Sequence, residues 1–259
     1  MSRFRSALAV GILAVLPAGA AAQNVLVHDN PWGQGGTLNA AFNDVLGAGN
    51  WAYAGYSGLN AATLFSAANS FIYLEGGDGT SGQFVNFMNA NQTTIFNWVQ
   101  GGGSLVINAA TWGDVFSTPF GLTNTGQNPL TPVGYMTNTG GPLAGDQGWG
   151  DPGTSWTGNY FAHGVLNGGG YGFNQLLRDA SNQTLLAEQF VGTGRVLTGT
   201  LTTPNWWQQP GGNALQRNII NYAQGPVQVP EPGSLFLLGT GLIGLAGASR
   251  RRRLEVGAA

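Results

Sequence analysis

Through its first half this chain alternates short apolar runs with amphipathic stretches. Asn24-Val25-Leu26-Val27-His28 is a compact apolar run that predicts a strand. The spacing then turns helical: Leu38, Phe42, Val45 and Leu46 share one face, and Thr37 stands where an N-cap is wanted. Trp51-Ala52-Tyr53 predicts a second strand, and Asn60 offers a cap for a short helix through Ala68. Phe71-Ile72-Tyr73-Leu74 reads as a buried strand that ends in Glu75-Gly76-Gly77-Asp78. From Phe84 to Trp98 the pattern is helical again. Phe84, Phe87, Met88, Ile95, Phe96 and Val99 face inward, a break falls near Asn89-Ala90-Asn91, and Gly101-Gly102-Gly103 ends the run. Ser104-Leu105-Val106-Ile107-Asn108 is the next strand.

Strands that are apolar on both faces belong to a parallel sheet covered by helices, so the pattern predicts an α/β body with a mainly parallel sheet. Between Trp112 and Gly170 the pattern dissolves into Gly, Asn, Thr and Pro, which predicts an irregular insertion over about 112–170. Order returns at Leu185–Phe190 and Arg195–Leu201, a hairpin about Gly192-Thr193-Gly194. A last helix runs from about Asn213 to Tyr222 with Leu215, Ile219, Ile220 and Tyr222 inward.

Composition narrows the function. Of 259 residues, 42% are hydrophobic, enough for a sizeable core, and only 8% are charged, against about 25% in an average soluble protein. Lysine is absent, and of the nine basic residues only Arg178, Arg195 and Arg217 fall between Gln23 and Val229, against nine acids. Binding to nucleic acid works by displacing counterions with basic side chains, so no nucleic acid partner is expected. The absence of cysteine removes disulfides, thiolate metal sites and cysteine nucleophiles together. The 44 glycines and frequent Asn and Thr predict a neutral, polar surface suited to hydrogen bonding with glycans.

Both ends carry addressing patterns. Residues 1–22 predict a signal peptide: Arg3 and Arg5, an apolar stretch from Ala7 to Leu16, then the small residues Ala20, Ala21 and Ala22, with cleavage by signal peptidase before Gln23. At the other end Val229-Pro230-Glu231-Pro232 precedes an apolar run from Gly233 to Ala248 and then Arg250, Arg251, Arg252 and Arg253. Sixteen helical residues span roughly 24 Å, short of a bilayer core of about 30 Å, and snorkelling arginines make up the difference. The expectation is a membrane helix over 233–249 that anchors the chain transiently in the inner membrane, with 254–259 cytoplasmic. The body, 23–225, then lies outside.

In open α/β sheets ligands gather beyond the carboxyl ends of the strands. That edge collects His28, Asp29, Asn30, Glu75, Asp78, Asn108 and Thr111, with Asp29, Glu75, Asp78 and Asn108 as the candidate ligand cleft. Its carboxylates suit Ca²⁺ with help from loop carbonyls, an acid/base pair acting on glycans or esters, or plain caps of turns. The pattern calls for no other cofactor and no resident metal: His28 and His163 lack metal-site spacing, and Ser117 is not in a nucleophile elbow. Trp112, Trp149, Trp156, Tyr160, Trp206 and Trp207 are either sugar-stacking aromatics or fillers of a glycine-rich region.

Val229-Pro230-Glu231-Pro232, the Leu/Gly-rich span and the terminal arginines resemble the PEP-CTERM sorting domain. The resemblance implies recognition of Pro230, Glu231 and Pro232 by an exosortase of a Gram-negative bacterium that makes exopolysaccharide. Phe71–Gly77, Trp98–Ile107 and Gly192–Leu197 resemble in order the class I glutamine amidotransferase-like superfamily, which implies a flavodoxin-like three-layer fold. Catalytic members place a nucleophile after the strand that here ends at Asn108. Ala109, Ala110 and Thr111 stand there, which argues against that chemistry. The expected product is a non-catalytic, exosortase-sorted envelope or matrix protein in contact with exopolysaccharide. A secreted hydrolase and a Ca²⁺-stabilised adhesive module are the alternatives.

Overall fold

A computed structural model describes residues 23–29, 35–77, 81–111, 114–125, 130–168, 170–202 and 210–225. Ala20, Ala22, Asn30, Asp78, Trp112, Trp206, Trp207, Pro230, Glu231, Pro232, the 233–249 span and Arg250 to Arg253 lie outside the described residues. The first half follows the apolar pattern: β1 (Gln23–Val27), α1 (Gly35–Leu46), β2 (Trp51–Ala54), α2 (Ala61–Leu64), β3 (Asn69–Gly76), α3 (Ser81–Ala90), α4 (Gln92–Gln100) and β4 (Ser104–Ala109). Asn60 caps α2 by accepting from the amides of Ala62 and Thr63. The expected break falls at Asn91, whose side-chain amide closes the end of α3 by donating to the Phe87 carbonyl at 2.7 Å. Helix α1 starts at Gly35, two residues before its expected cap at Thr37.

The second half is richer in strands than its composition predicts. The stretch expected to be irregular carries β5 (Phe116–Ser117), β6 (Leu122–Asn124), β7 (Leu130–Met136), β8 (Ser155–His163) and β9 (Leu166–Gly168). Then come β10 (Asn174–Arg178), β11 (Thr184–Val191), β12 (Gly194–Gly199) and α5 (Gly212–Gln224).

The main sheet runs β2-β1-β3-β4-β12-β11-β10-β7-β8, and β5, β6 and β9 branch from it at β11. The five strands from β2 to β12 are parallel, and taken in chain order they give the flavodoxin-like sequence 2-1-3-4-5. From β12 to β8 every pairing is antiparallel. The sheet is therefore mixed, where the sequence predicts a mainly parallel one. Parallel pairing needs a crossover of a dozen or more residues, usually a helix. No helix is described between β4 and α5, so strands joined by short links fold back on one another.

Helices cover both faces of the parallel part. Leu26, Phe71, Tyr73, Val106 and Leu197 pack with Leu38 and Phe42 of α1 and with Leu215, Ile219 and Ile220 of α5. Their sequence neighbours Val25, Val27, Ile72, Leu105 and Val196 point the other way, onto Leu64, Phe84, Met88, Ile95 and Val99. Each buried aliphatic side chain contributes about 1.5–3 kcal/mol. The Gly192-Thr193-Gly194 turn is pressed against the end of α4. A Cβ on Gly194 would sit 1.9 Å from the Val99 carbonyl oxygen, so only glycine closes this hairpin.

Candidate functional site

The carboxyl edge of the parallel strands brings Glu75 and Asn108 side by side, since β3 and β4 pair them in register. Glu75 is 1% exposed. Asn108 Nδ2 donates to both Glu75 carboxylate oxygens, at 3.1 and 3.0 Å, and to the Leu201 carbonyl at 2.9 Å. Its Oδ1 accepts from the Leu201 amide at 2.9 Å. One asparagine thus ties three chain segments together. Burial pushes the Glu75 carboxyl up to about 8, against smaller opposing pulls from Asn108 and Tyr73. Glu75 therefore holds its proton at neutral pH.

Tyr56 links this pair to Asp29. Its hydroxyl donates to the Glu75 carbonyl at 3.0 Å and its amide donates to Asp29 Oδ1 at 3.0 Å. A Cβ at Gly55 would meet Asp29 Oδ1 at 2.5 Å, so glycine there makes room for the carboxylate. Burial, then the charges of Glu75 and Asp29, raise the Tyr56 hydroxyl well above its usual range. Three of the four predicted cleft residues, Asp29, Glu75 and Asn108, are thus joined by direct contacts, and Asp78 lies outside the described residues.

The neighbouring polar groups are mostly engaged in holding backbone. Asn124 donates to the Ala109 carbonyl and to the Thr111 hydroxyl, each at 3.1 Å, and Thr111 donates to the Asp114 carbonyl at 2.6 Å. Ala109, Ala110 and Thr111 are all buried. The end of β8 crosses the edge: His163 donates its amide to the Thr200 carbonyl, Ala162 pairs with Leu201, and Thr202 bonds the Tyr160 carbonyl.

His28 is buried beside Asp29, with Nε2 3.4 Å from Asn39 Oδ1, and burial lowers its pKa against the opposing pull of Asn39 and Asp29. Burial holds His163 at about 4. Both histidines are neutral at physiological pH. Among the described residues no group of three or more His, Asp or Glu side chains is placed to hold a metal ion. Ser117 is exposed and its hydroxyl pairs with that of Thr123 at 2.9 Å. Of the described candidate aromatics, Trp156 is 1% exposed and stacks on Phe161, so it fills the core. Trp149 and Tyr160 are half-buried. The exposed aromatics among the described residues are Tyr53, Tyr171 and Phe173.

A second polar centre is one that the sequence pattern does not mark. Glu188 on β11 and Arg195 on β12 are 3% and 2% exposed, and Arg195 Nε lies 3.2 Å from Glu188 Oε1. Tyr222 of α5 covers the pair: its hydroxyl donates to Glu188, its carbonyl accepts from Arg195, and its ring stacks 4.2 Å from the guanidinium. Burial and the bond to Glu188 push the Tyr222 hydroxyl up. Asn174 donates to the other Glu188 oxygen at 3.2 Å. The pair floors a cleft of about 670 Å³ beside the end of α5. Its signal in the sequence was Glu188 inside the apolar run Leu185–Phe190, with Arg195 opening the other arm of the same hairpin.

Residues 228–253 match the PEP-CTERM protein-sorting motif. The match takes in Pro230, Glu231, Pro232 and the four arginines. It supports an exported protein processed by an exosortase, and it implies secretion to the cell envelope. Among the described residues no helix is long and apolar enough to cross a membrane. No curated protein matches the chain. Among solved structures it is similar to a GMP synthase protein of Thermoplasma acidophilum, with 10% identity, 78% of this chain and 94% of that one covered, and a TM-score of 0.48. It is also similar to a ThuA-like protein of Parabacteroides merdae, with 16% identity, 81% and 93% covered, and a TM-score of 0.42. An exo-β-1,4-mannosidase of an Opitutaceae bacterium aligns at 11% identity over 70% of this chain but 31% of its own length, with a TM-score of 0.41.

Proposed function

We propose that this chain is an exosortase-sorted protein that ends at the outer surface or in the extracellular matrix, where its body contacts exopolysaccharide without catalysis. The sorting motif supports the destination. The observation that carries the rest is the state of the sheet's carboxyl edge. An α/β enzyme keeps reactive groups there, open to substrate. Here Asn108, Asn124, Thr111 and Thr202 bond backbone, and Glu75 has both oxygens on Asn108.

A hydrolase is the rival reading, and one observation favours it: a carboxyl that keeps its proton to about pH 8 has the affinity of a general acid. Its burial and double contact with Asn108 weigh against that role. The test expresses the intact gene with and without an exosortase, fractionates the cells, and assays the exported product for polysaccharide binding and for glycan and ester hydrolysis. The proposal expects tail removal that depends on the exosortase, binding, and no turnover. A product left in the cytosol, or turnover abolished by Glu75→Gln, would replace it.

A further inference from the structure

We propose that the cleft beside the end of α5 is a binding site for an uncharged saccharide segment; this rests on the reading of the body as polysaccharide-binding. The cleft's volume, about 670 Å³, falls within the roughly 300–1,000 Å³ of small-ligand sites. Its lining sets the ligand class by elimination. The charged residues in it are Glu188 and Arg195, and they neutralise each other. The Arg195 guanidinium is already bound to Glu188 and to the Tyr222 carbonyl and stacked on the Tyr222 ring, so an anionic ligand finds a cation that is already engaged. The Glu188 carboxylate accepts from Tyr222, Arg195 and Asn174, so a cationic ligand gains equally little.

What remains for a ligand is a wall of amides. Gln224 donates to Asn221 at 3.4 Å, Asn221 to Gln147 at 2.9 Å, and Gln147 to the Pro142 carbonyl at 2.8 Å. This chain points the amides in one sense and uses only part of their capacity, since each has two donor hydrogens and two acceptor lone pairs. Groups that donate and accept at once match hydroxyls, which do the same. Phe190 and Tyr222 add aromatic surface beside the amides, as an amphipathic sugar ring requires. A buried ion pair is weak as a device for stability, because desolvation offsets most of the attraction. Beneath a cleft it serves instead as a rigid polar floor that holds Asn174 and Tyr222 in place.

Asn174 is exposed and Asn221 is half-buried, so both can be shortened without opening the core. The experiment titrates the exported, processed protein with dextran, mannan and galactan as neutral probes and with alginate as an anionic one. It compares wild type, the Asn174→Ala/Asn221→Ala double variant, and a Tyr171→Ala/Phe173→Ala control on another surface. The expected result is binding of a neutral probe and not of alginate, weakened roughly tenfold or more in the amide variant. The control should bind as wild type does, and all three melting temperatures should agree. Neutral binding that survives the amide variant, or falls only in the aromatic control, overturns the cleft and leaves polysaccharide binding standing. Binding of alginate alone overturns the ligand class. No binding of any polysaccharide sinks both this site and the reading it rests on.

Discussion

Two glutamates sit in the interior of one sheet, Glu75 on β3 and Glu188 on β11, and their surroundings assign them opposite charge states. Glu75 has an amide for a partner, and burial leaves it a neutral acid at pH 7. Glu188 has a guanidinium at 3.2 Å, which favours the carboxylate. The difference follows from strand direction. At the carboxyl edge of the parallel strands, register puts Glu75 opposite Asn108, whose amide carries no charge. On the antiparallel hairpin, Glu188 pairs with Leu197 and Phe190 with Arg195, so Glu188 and Arg195 stand diagonally and a long side chain closes the gap. The two centres should therefore respond differently to mutation, pH and salt.

The largest effect is expected at the charged centre. Glu188→Ala leaves the Arg195 guanidinium buried without its carboxylate, and should cost about 3–5 kcal/mol in urea denaturation. A Glu188→Leu/Arg195→Met double variant removes both charges and should recover most of that loss. A double variant no more stable than the single would show that the pair contributes far more than buried pairs usually do.

Asn108→Ala comes next. It strips the Leu201 amide and carbonyl of their buried partner along with the Glu75 carboxyl. At about 1–3 kcal/mol for an unsatisfied buried group, a loss of about 2–3 kcal/mol is expected from thermal melts. Because the Asn108 bond lowers the Glu75 pKa, the variant should also hold the Glu75 proton to higher pH. A variant that melts as wild type does would mean that the clamp ties nothing together.

The proton on Glu75 gives the third effect. Its folded pKa, about 8, lies above the ordinary 4.5, so the folded state binds the extra proton and stability falls as pH rises from 4.5 to 8. His163 acts in the opposite sense. Its folded value, about 4, lies below 6.5, so its contribution is lost as pH falls through that window. Between pH 4.5 and 6.5 the two slopes oppose each other, and above 6.5 Glu75 acts alone. Wild type should therefore lose on the order of 2 kcal/mol between pH 6.5 and 8, and Glu75→Gln should flatten that limb. An unchanged alkaline limb in the variant would assign the proton elsewhere.

How much of this could be read from the chain follows the same division. The parallel half was legible because each of its strands is buried on both faces. Phe71–Leu74 and Ser104–Asn108 are continuous apolar runs, and the helices between them keep a clear face. The strands from β5 to β9 were not, because they are short or interrupted, as β7 is by Pro132 and Gly134. They are also stabilised by partners far along the chain: Leu122 pairs with Gly168 and Gly134 with Trp156. Pairing at that range leaves no local period. The Asp29, Glu75 and Asn108 grouping was legible from the strand-end rule alone, since each residue ends an apolar run. The Glu188 centre needed the hairpin register, and it also needed Tyr222 to be brought over it by α5.

The smallest effect concerns a third acid. Asp44 on α1 pairs with Arg217 on α5, its Oδ2 accepting from Nε at 2.8 Å, but the Asp44 side chain is 48% exposed. Water screens such a pair, and holding two side chains in one geometry costs entropy, so Asp44→Asn should cost under about 1 kcal/mol. Arg217 also donates to the Asn213 carbonyl at 3.0 Å, so the variant does not leave it without a partner. At 1 M salt the screening length shrinks to about 3 Å, and wild type and variant should melt together. The Glu188 and Arg195 pair, buried on both sides, should keep its full cost of disruption at the same salt. Melting curves of Asp44→Asn and Glu188→Ala at low and high salt therefore separate the two kinds of ion pair. A Glu188→Ala deficit that vanishes with salt would mean that solvent reaches the floor of the cleft.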